Sequence, residues 1–153
     1  MLLWVFALLL ITLPGTWHCG KKVLKVTLIG GLESNQGNAV DVRIYQLRND
    51  SKFQLATVDA FWKGKNSDEE FLGKEFINKQ EKKVRPKEQI LLSLQIDVET
   101  QFIGVAANFF NPNKDKWRYC IPISKYKHKK VAIVLGENSL VITDVNAVNL
   151  EKK

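Results

Sequence analysis

The stretch Gln101-Phe-Ile-Gly-Val-Ala-Ala-Asn-Phe-Phe110, then Asn111-Pro-Asn-Lys-Asp115, then Lys116-Trp-Arg-Tyr-Cys-Ile-Pro-Ile123 is two apolar runs separated by turn chemistry. That pattern predicts a β-hairpin. In strands, Ile103, Val105, Ala107 and Phe109 share one face, and Trp117, Tyr119, Ile121 and Ile123 share another, so the two rows can line one core. Asn111-Pro112-Asn113 supplies a fixed φ and two residues tolerant of turn geometry, so the chain reverses here. Pro122 has no N–H for a ladder, which places the second strand at an edge or a bulge.

Working outward, Ile90, Leu92, Leu94, Ile96 and Val98 alternate with Leu91, Ser93, Gln95 and Asp97, the signature of a strand with one buried face. Val23 to Ile29 reads as a first strand and Val40 to Leu47 as a second, the latter apolar on both faces and so expected to be covered twice. Lys74 to Val84 is a polar, edge-like strand ending at the turn Arg85-Pro86-Lys87-Glu88. Val131 to Leu135 and Leu140 to Thr143 flank the compact turn Gly136-Glu137-Asn138-Ser139. Between the second strand and the polar one, Ser51-Lys52-Phe53-Gln54 fits a capping box. A short helix is predicted to follow, with Leu55, Val58 and Trp62 on one face, and Ser67-Asp68-Glu69-Glu70 repeats the start signal. Phe53, Phe61, Trp62 and Phe71 are expected to pack onto a sheet. Strands at this spacing with one helical stretch predict an all-β, two-sheet sandwich carrying a short helical insertion after the second strand.

A length of 153 residues, 45% hydrophobic and 25% charged, suits one domain with its own core. The net charge of +7 is uneven. It gathers at Lys79, Lys82, Lys83, Arg85 and Lys87 and again from Lys125 to Lys130, which reads as a solvated rim or as a surface attracted to anionic partners.

Met1 to Leu13 is almost wholly apolar and breaks at Pro14-Gly15, short of the roughly 20 residues of a membrane span. Residues 1–18 are therefore read as a secretory signal peptide, 19–22 as a tether and 23–153 as the sandwich domain. Cys19 at the junction is the candidate lipidation site. Trp17 and His18 are bulkier than the small residues that usually precede an acylated Cys, and no Lys or Arg precedes the apolar run. Cys120, inside the hairpin, is expected to be a buried free thiol.

Catalytic chemistry lacks its parts. His18 would leave with the leader, and His128 lies in Lys125-Tyr126-Lys127-His128-Lys129-Lys130 with no carboxylate beside it to orient it. Gly30-Gly31 lacks the Lys and the following helix of a phosphate loop. Asp68-Glu69-Glu70 is explained by the preference of helix N-termini for negative charge. The expectation is no catalytic residue, no metal site, no small-molecule substrate and no cofactor beyond a covalent lipid on Cys19. A secretory leader also removes the chain from nucleic acid.

Arg43-Ile44-Tyr45-Gln46-Leu47, Phe53 with its helix, Leu72-Gly73, Arg85-Pro86, Ile103-Gly104-Val105-Ala106-Ala107-Asn108-Phe109 and Trp117-Arg118 form an ordered series spanning the mature chain. The series resembles the type VI secretion system outer-membrane lipoprotein, the TssJ family. The resemblance implies a transthyretin-like sandwich held by an acylated Cys19 at the periplasmic face of the outer membrane. It further implies assembly without catalysis, through binding the periplasmic domain of the large inner-membrane subunit, TssM, in the trans-envelope complex. In that family the loop between the first two strands contacts the partner; here the matching positions are Gly30, Gly31, Leu32, Glu33, Ser34, Asn35, Gln36, Gly37 and Asn38, with Leu32, Glu33 and Asn35 as candidate contacts. The second reading is a periplasmic sandwich that binds a small ligand or glycan through exposed aromatics.

Overall fold

The alternating runs pair into two four-stranded sheets in the computed structural model, which describes residues 22–126 and 130–144. The strands are β1 (Lys22–Gly30), β2 (Val40–Leu47), β3 (Phe76–Val84), β4 (Gln89–Ile96), β5 (Phe102–Asn108), β6 (Arg118–Pro122), β7 (Val131–Leu135) and β8 (Leu140–Asp144). One sheet has the order β4-β1-β7-β8 and the other β3-β2-β5-β6. All pairings are antiparallel except β1 with β7, which run parallel. Cys19 and the rest of the leader, His128 and the middle of the Lys125 to Lys130 cluster lie outside the described residues.

Even-numbered β1 residues Leu24, Val26 and Leu28 meet Val42, Ile44, Ile103, Val105, Ile133 and Leu135 in a dry layer between the sheets. The opposite face of β2 and β5 is covered by the insertion, three short helices: α1 (Ser51–Leu55), α2 (Val58–Trp62) and α3 (Ser67–Leu72). This double covering explains why β2 is apolar on both faces. Tyr45, Phe53 and Phe61 meet edge to face with ring centroids 5.4–5.5 Å apart, and Trp117 packs on Phe61 at 5.7 Å. Gly104 is required beneath them, since a Cβ there would lie 2.6 Å from the Phe53 ring.

Several local expectations are corrected. The hairpin forms and β6 is an edge strand, but Trp117 precedes it and packs on the insertion, while Tyr119 is 48% exposed. Cys120 is half-buried rather than buried; it carries no disulfide, and burial first, then the Asp50 charge, pushes its thiol pKa up to about 12. Leu55, Val58 and Trp62 do not share a helix face, because the chain breaks at Ala56-Thr57 into two helices and leaves Leu55 exposed. Thr57, whose hydroxyl accepts from the Ala60 N–H at 3.2 Å, starts the second. Ser51 does not close a capping box; Asp50 precedes the helix and receives the Gln54 side-chain amide instead. Val98 lies beyond β4 and is exposed.

Candidate functional site

Four connections converge at the end of the sandwich where β1 finishes: the β1–β2 loop, the β3–β4 turn, the β5–β6 turn and the β7–β8 turn. Gly30 and Gly31 draw the first of these close to its neighbours. The Gly30 N–H donates to the Glu88 carbonyl and the Lys87 N–H to the Gly30 carbonyl, both at 2.9 Å. The Gly31 N–H donates to Leu135 at 2.8 Å. A Cβ on Gly30 would lie 2.0 Å from the Arg85 carbonyl oxygen and one on Gly31 2.8 Å from that of Leu135. The glycine pair thus serves close backbone packing.

The loop then coils into a 3-10 turn, Ser34–Gly37, in which Asn35, Gln36 and Gly37 all have left-handed φ values of 49°, 56° and 81°. Asn tolerates this region better than most side chains and Gly freely; Gln36 is held there at a cost the neighbouring bonds offset. Asn35 supplies those bonds. Its backbone N–H donates to Gly136 at 3.2 Å, its Nδ2 donates to the Ala39 carbonyl at 2.9 Å, and its Oδ1 accepts from the Phe110 N–H at 2.7 Å. One buried residue therefore ties the loop to the β7–β8 turn through its backbone N–H and to the β5–β6 turn through its side chain. Asn38 adds Nδ2 contacts to the carbonyls of Asn35 and Gln36. The two turns are joined in their own right, Asn113 N–H to Asn138 and Leu140 N–H to Lys116, each at 2.8 Å.

Of the nine loop residues, Gly30, Ser34 and Asn35 are buried, so Asn35 works from within and does not present its side chain to a partner. Leu32, Glu33, Gln36, Gly37 and Asn38 are exposed. Leu32 is 62% exposed, and Phe110, whose N–H is bound by Asn35, is 71% exposed. The end of the sandwich thus presents two large apolar side chains on a hydrogen-bonded frame. Sequence reasoning passed over Phe110; the Phe109-Phe110 pair was the available signal, since adjacent strand residues point to opposite sides and only one can enter the core.

A second polar cluster lies under the insertion. Asp68, fully buried, accepts from the Tyr45 hydroxyl at 2.7 Å and pairs with Arg43 at 3.1 Å and Lys79 at 3.2 Å. Arg43 also donates to the Phe61 carbonyl at 2.6 Å, pairs with Glu81 at 3.0 Å and stacks over Trp62 at 4.2 Å. Burial alone would raise the Asp68 pKa, but the Tyr45 and Lys79 hydrogen bonds and the Arg43 charge outweigh it and hold the carboxyl below its usual value. Lys79 is disfavoured as a cation by burial, yet Glu69, Asp68 and Glu81 together raise its pKa. Asp68 is therefore a fastener of the insertion to the sheet rather than a helix-end charge, and Lys79 belongs to that network rather than to a solvated rim. The cleft beside it, about 400 Å³ and lined by Asp41, Arg43, Trp62, Glu81, Lys82 and Lys83, carries both signs of charge. Phe53 and Phe61 are fully buried and so unavailable to a glycan. Among the described residues no helix is long and apolar enough to cross a membrane, and no group of three or more His, Cys, Asp or Glu is placed to hold a metal ion.

Comparison with known proteins bears on this geometry. Residues 31–138 match the family model described as type VI secretion lipoprotein, VasD, EvfM, TssJ, VC_A0113. No match is found among curated proteins. Among solved structures, the chain is similar to the T6SS lipoprotein TssJ1 from Pseudomonas aeruginosa, with 20% identity over 82% of this chain and 97% of that one and a TM-score of 0.73. It is similar to a chain of a structure described as a type VI membrane complex, with 24% identity, 81% and 99% coverage and a TM-score of 0.72. A chain of the structure described as the T6SS protein TssM C-terminal domain from EAEC matches with 23% identity, 81% and 99% coverage and a TM-score of 0.70. At these identities the structural likeness establishes the shared sandwich fold.

Proposed function

Because the chain belongs to the type VI secretion lipoprotein family, we propose that it is a non-catalytic assembly component that binds the periplasmic domain of TssM through its β1–β2 loop and the adjoining Phe110. The observation that carries this reading is the frame built around Asn35, which holds Leu32 and Phe110 in water at an ordering cost already met before a partner arrives. The likeness to chains from structures described as a type VI membrane complex and a TssM C-terminal domain supports the choice of partner.

The same reading assigns Cys19 as the acylated anchor at the periplasmic face of the outer membrane. Each buried methylene of such an anchor contributes about 0.8 kcal/mol, so more than one chain is needed for firm attachment. Three residue steps lead from Cys19 to Lys22, a reach of at most about 11 Å. β1 then carries the chain about 30 Å to Gly30. The domain is thus tethered at one end and presents the loop at the other, toward the periplasm.

The test is partner capture from detergent-solubilised envelopes with the tagged full-length protein beside a variant whose Glu33 to Gly37 segment is replaced by Gly and Ser. Recovery of the large inner-membrane subunit by the parent alone supports the reading, and equal recovery by both moves the interface elsewhere. Labelling with a fatty-acid analogue in the parent but not in Cys19→Ala tests the anchor.

A further inference from the structure

The four sheet edges of this sandwich are unequal. β3 carries Lys79, Glu81, Lys82 and Lys83, β6 carries Arg118 and Pro122, and β8 has five residues among those described. Charges, proline and brevity are the ordinary devices that stop edges from pairing. β4 has none of them: Gln89-Ile-Leu-Leu-Ser-Leu-Gln-Ile96 is eight residues long, uncharged and free of proline.

Its free backbone can be identified from the ladder. β4 pairs with β1 in a register that sets Leu24 opposite Leu94 and Leu28 opposite Ile90, and the Gly30 N–H to Glu88 bond continues it. Hydrogen-bonded positions alternate in an antiparallel pair, so the even-numbered β4 residues bond β1 and the odd-numbered ones direct N–H and C=O outward. Gln46 confirms that assignment from the other side. Its buried amide donates to the Gln95 carbonyl at 2.9 Å and accepts from the Asp97 N–H at 2.8 Å, closing that end of the edge. Gln89, Leu91 and Ser93 remain as an open stretch among the described residues, with Leu91 at its centre 78% exposed.

We propose that this edge pairs with a second copy of the chain, antiparallel and two-fold about Leu91, joining the β4 sheets of two molecules into one. The open stretch is symmetric about Leu91, so each copy offers Gln89 to the other's Ser93 and Leu91 to Leu91, without touching the segment closed by Gln46. Charge favours the same occupant. The exposed basic turn of Arg85 and Lys87 lies at one end of β4 and exposed Asp97 at the other, so an antiparallel copy brings opposite charges together at both ends. An isologous contact of this kind closes at two copies and does not propagate. It does not use Leu32 or Phe110, and therefore stands independently of the loop reading.

The experiment uses the full chain in oxidising envelopes with single cysteines introduced as Leu91→Cys or Ser93→Cys, read on non-reducing gels after detergent extraction. Bands common to every variant, from Cys19 or Cys120, are subtracted. Leu91→Cys should link to its own copy roughly tenfold more than Ser93→Cys, because only position 91 faces itself across the two-fold. In sedimentation of the detergent-solubilised parent, a dimer should form that Leu91→Lys weakens by roughly tenfold or more, with an unchanged melting temperature showing that the fold is intact. A parent that stays monomeric at every concentration, equal linking at 91 and 93, or linking of Leu91→Cys to a different envelope protein would each overturn the proposal, the last handing the edge to a partner's strand.

Discussion

The helical insertion and the loop end both lie outside the strand ladders, yet they use their side chains in opposite ways. In the insertion Phe53, Phe61 and Leu72 are fully buried and the charged residue Asp68 is buried with them, fully partnered. In the β1–β2 loop the buried side chains are polar, Ser34 and Asn35, while Leu32 and, in the adjoining turn, Phe110 face water. Burial of apolar surface stabilises a fold; ordered display of apolar surface costs stability and is kept where a partner covers it. The insertion is thus a fastening and the loop end the proposed docking surface, and substitutions in the two should separate stability from binding.

The largest stability effect is expected at Phe53→Ala, a loss of about 3–5 kcal/mol from removing the ring that fills the space over Gly104. Chemical denaturation measures it, and the remaining folded molecules should still bind the partner. Asp68→Asn comes next, about 3 kcal/mol at neutral pH, because Arg43 and Lys79 lose their buried counter-charge. Here pH sharpens the comparison. The Asp68 pKa is depressed in the folded state, so its contribution is fully present above the unfolded carboxylate value of about 3.9 and is lost as pH falls through the folded one. The gap between parent and Asp68→Asn should accordingly be constant near neutrality and close in acid; a gap that widened in acid would contradict the assignment.

Asn35→Ala crosses the boundary between the two regions. It removes two side-chain hydrogen bonds and puts Ala at a φ of 49°, so stability should fall by about 1–3 kcal/mol and partner affinity should fall with it. Smallest in stability is the pair Leu32→Ser with Phe110→Ser, expected within about 0.5 kcal/mol of the parent because both side chains are exposed. Its effect should appear in binding alone.

Much of the sandwich is legible in the sequence because strict alternation at Ile90 to Ile96 and the hairpin around Asn111-Pro112-Asn113 leave few other structures open. The residues that carry the family resemblance are legible for the same reason and turn out to be fastenings. Arg43 and Tyr45 hold Asp68, Gly104 makes room for Phe53, Trp117 packs on Phe61, and Arg118 donates to the carbonyls of Phe53 and Gln54. Hence that series marks the scaffold more than the site. The break at Ala56-Thr57 is hidden because the apolar spacing on its two sides still satisfies one helix. Asp68 in an acidic run looks like surface, and only the register that sets Tyr45 opposite Lys79 shows it as buried. At the loop end, the resemblance names Leu32 and Asn35 alike as candidate contacts; Leu32 is exposed, whereas the inward role of Asn35 depends on Phe110, 75 residues away in sequence.

The most direct test of the docking surface is the affinity of the purified chain for the periplasmic domain of TssM, measured by calorimetry beside the Leu32→Ser, Phe110→Ser double variant. A dissociation constant at least about tenfold weaker, with a melting temperature unchanged, is the predicted result. An unchanged dissociation constant in a folded double variant would contradict it and return the loop end to the status of an ordinary turn cluster.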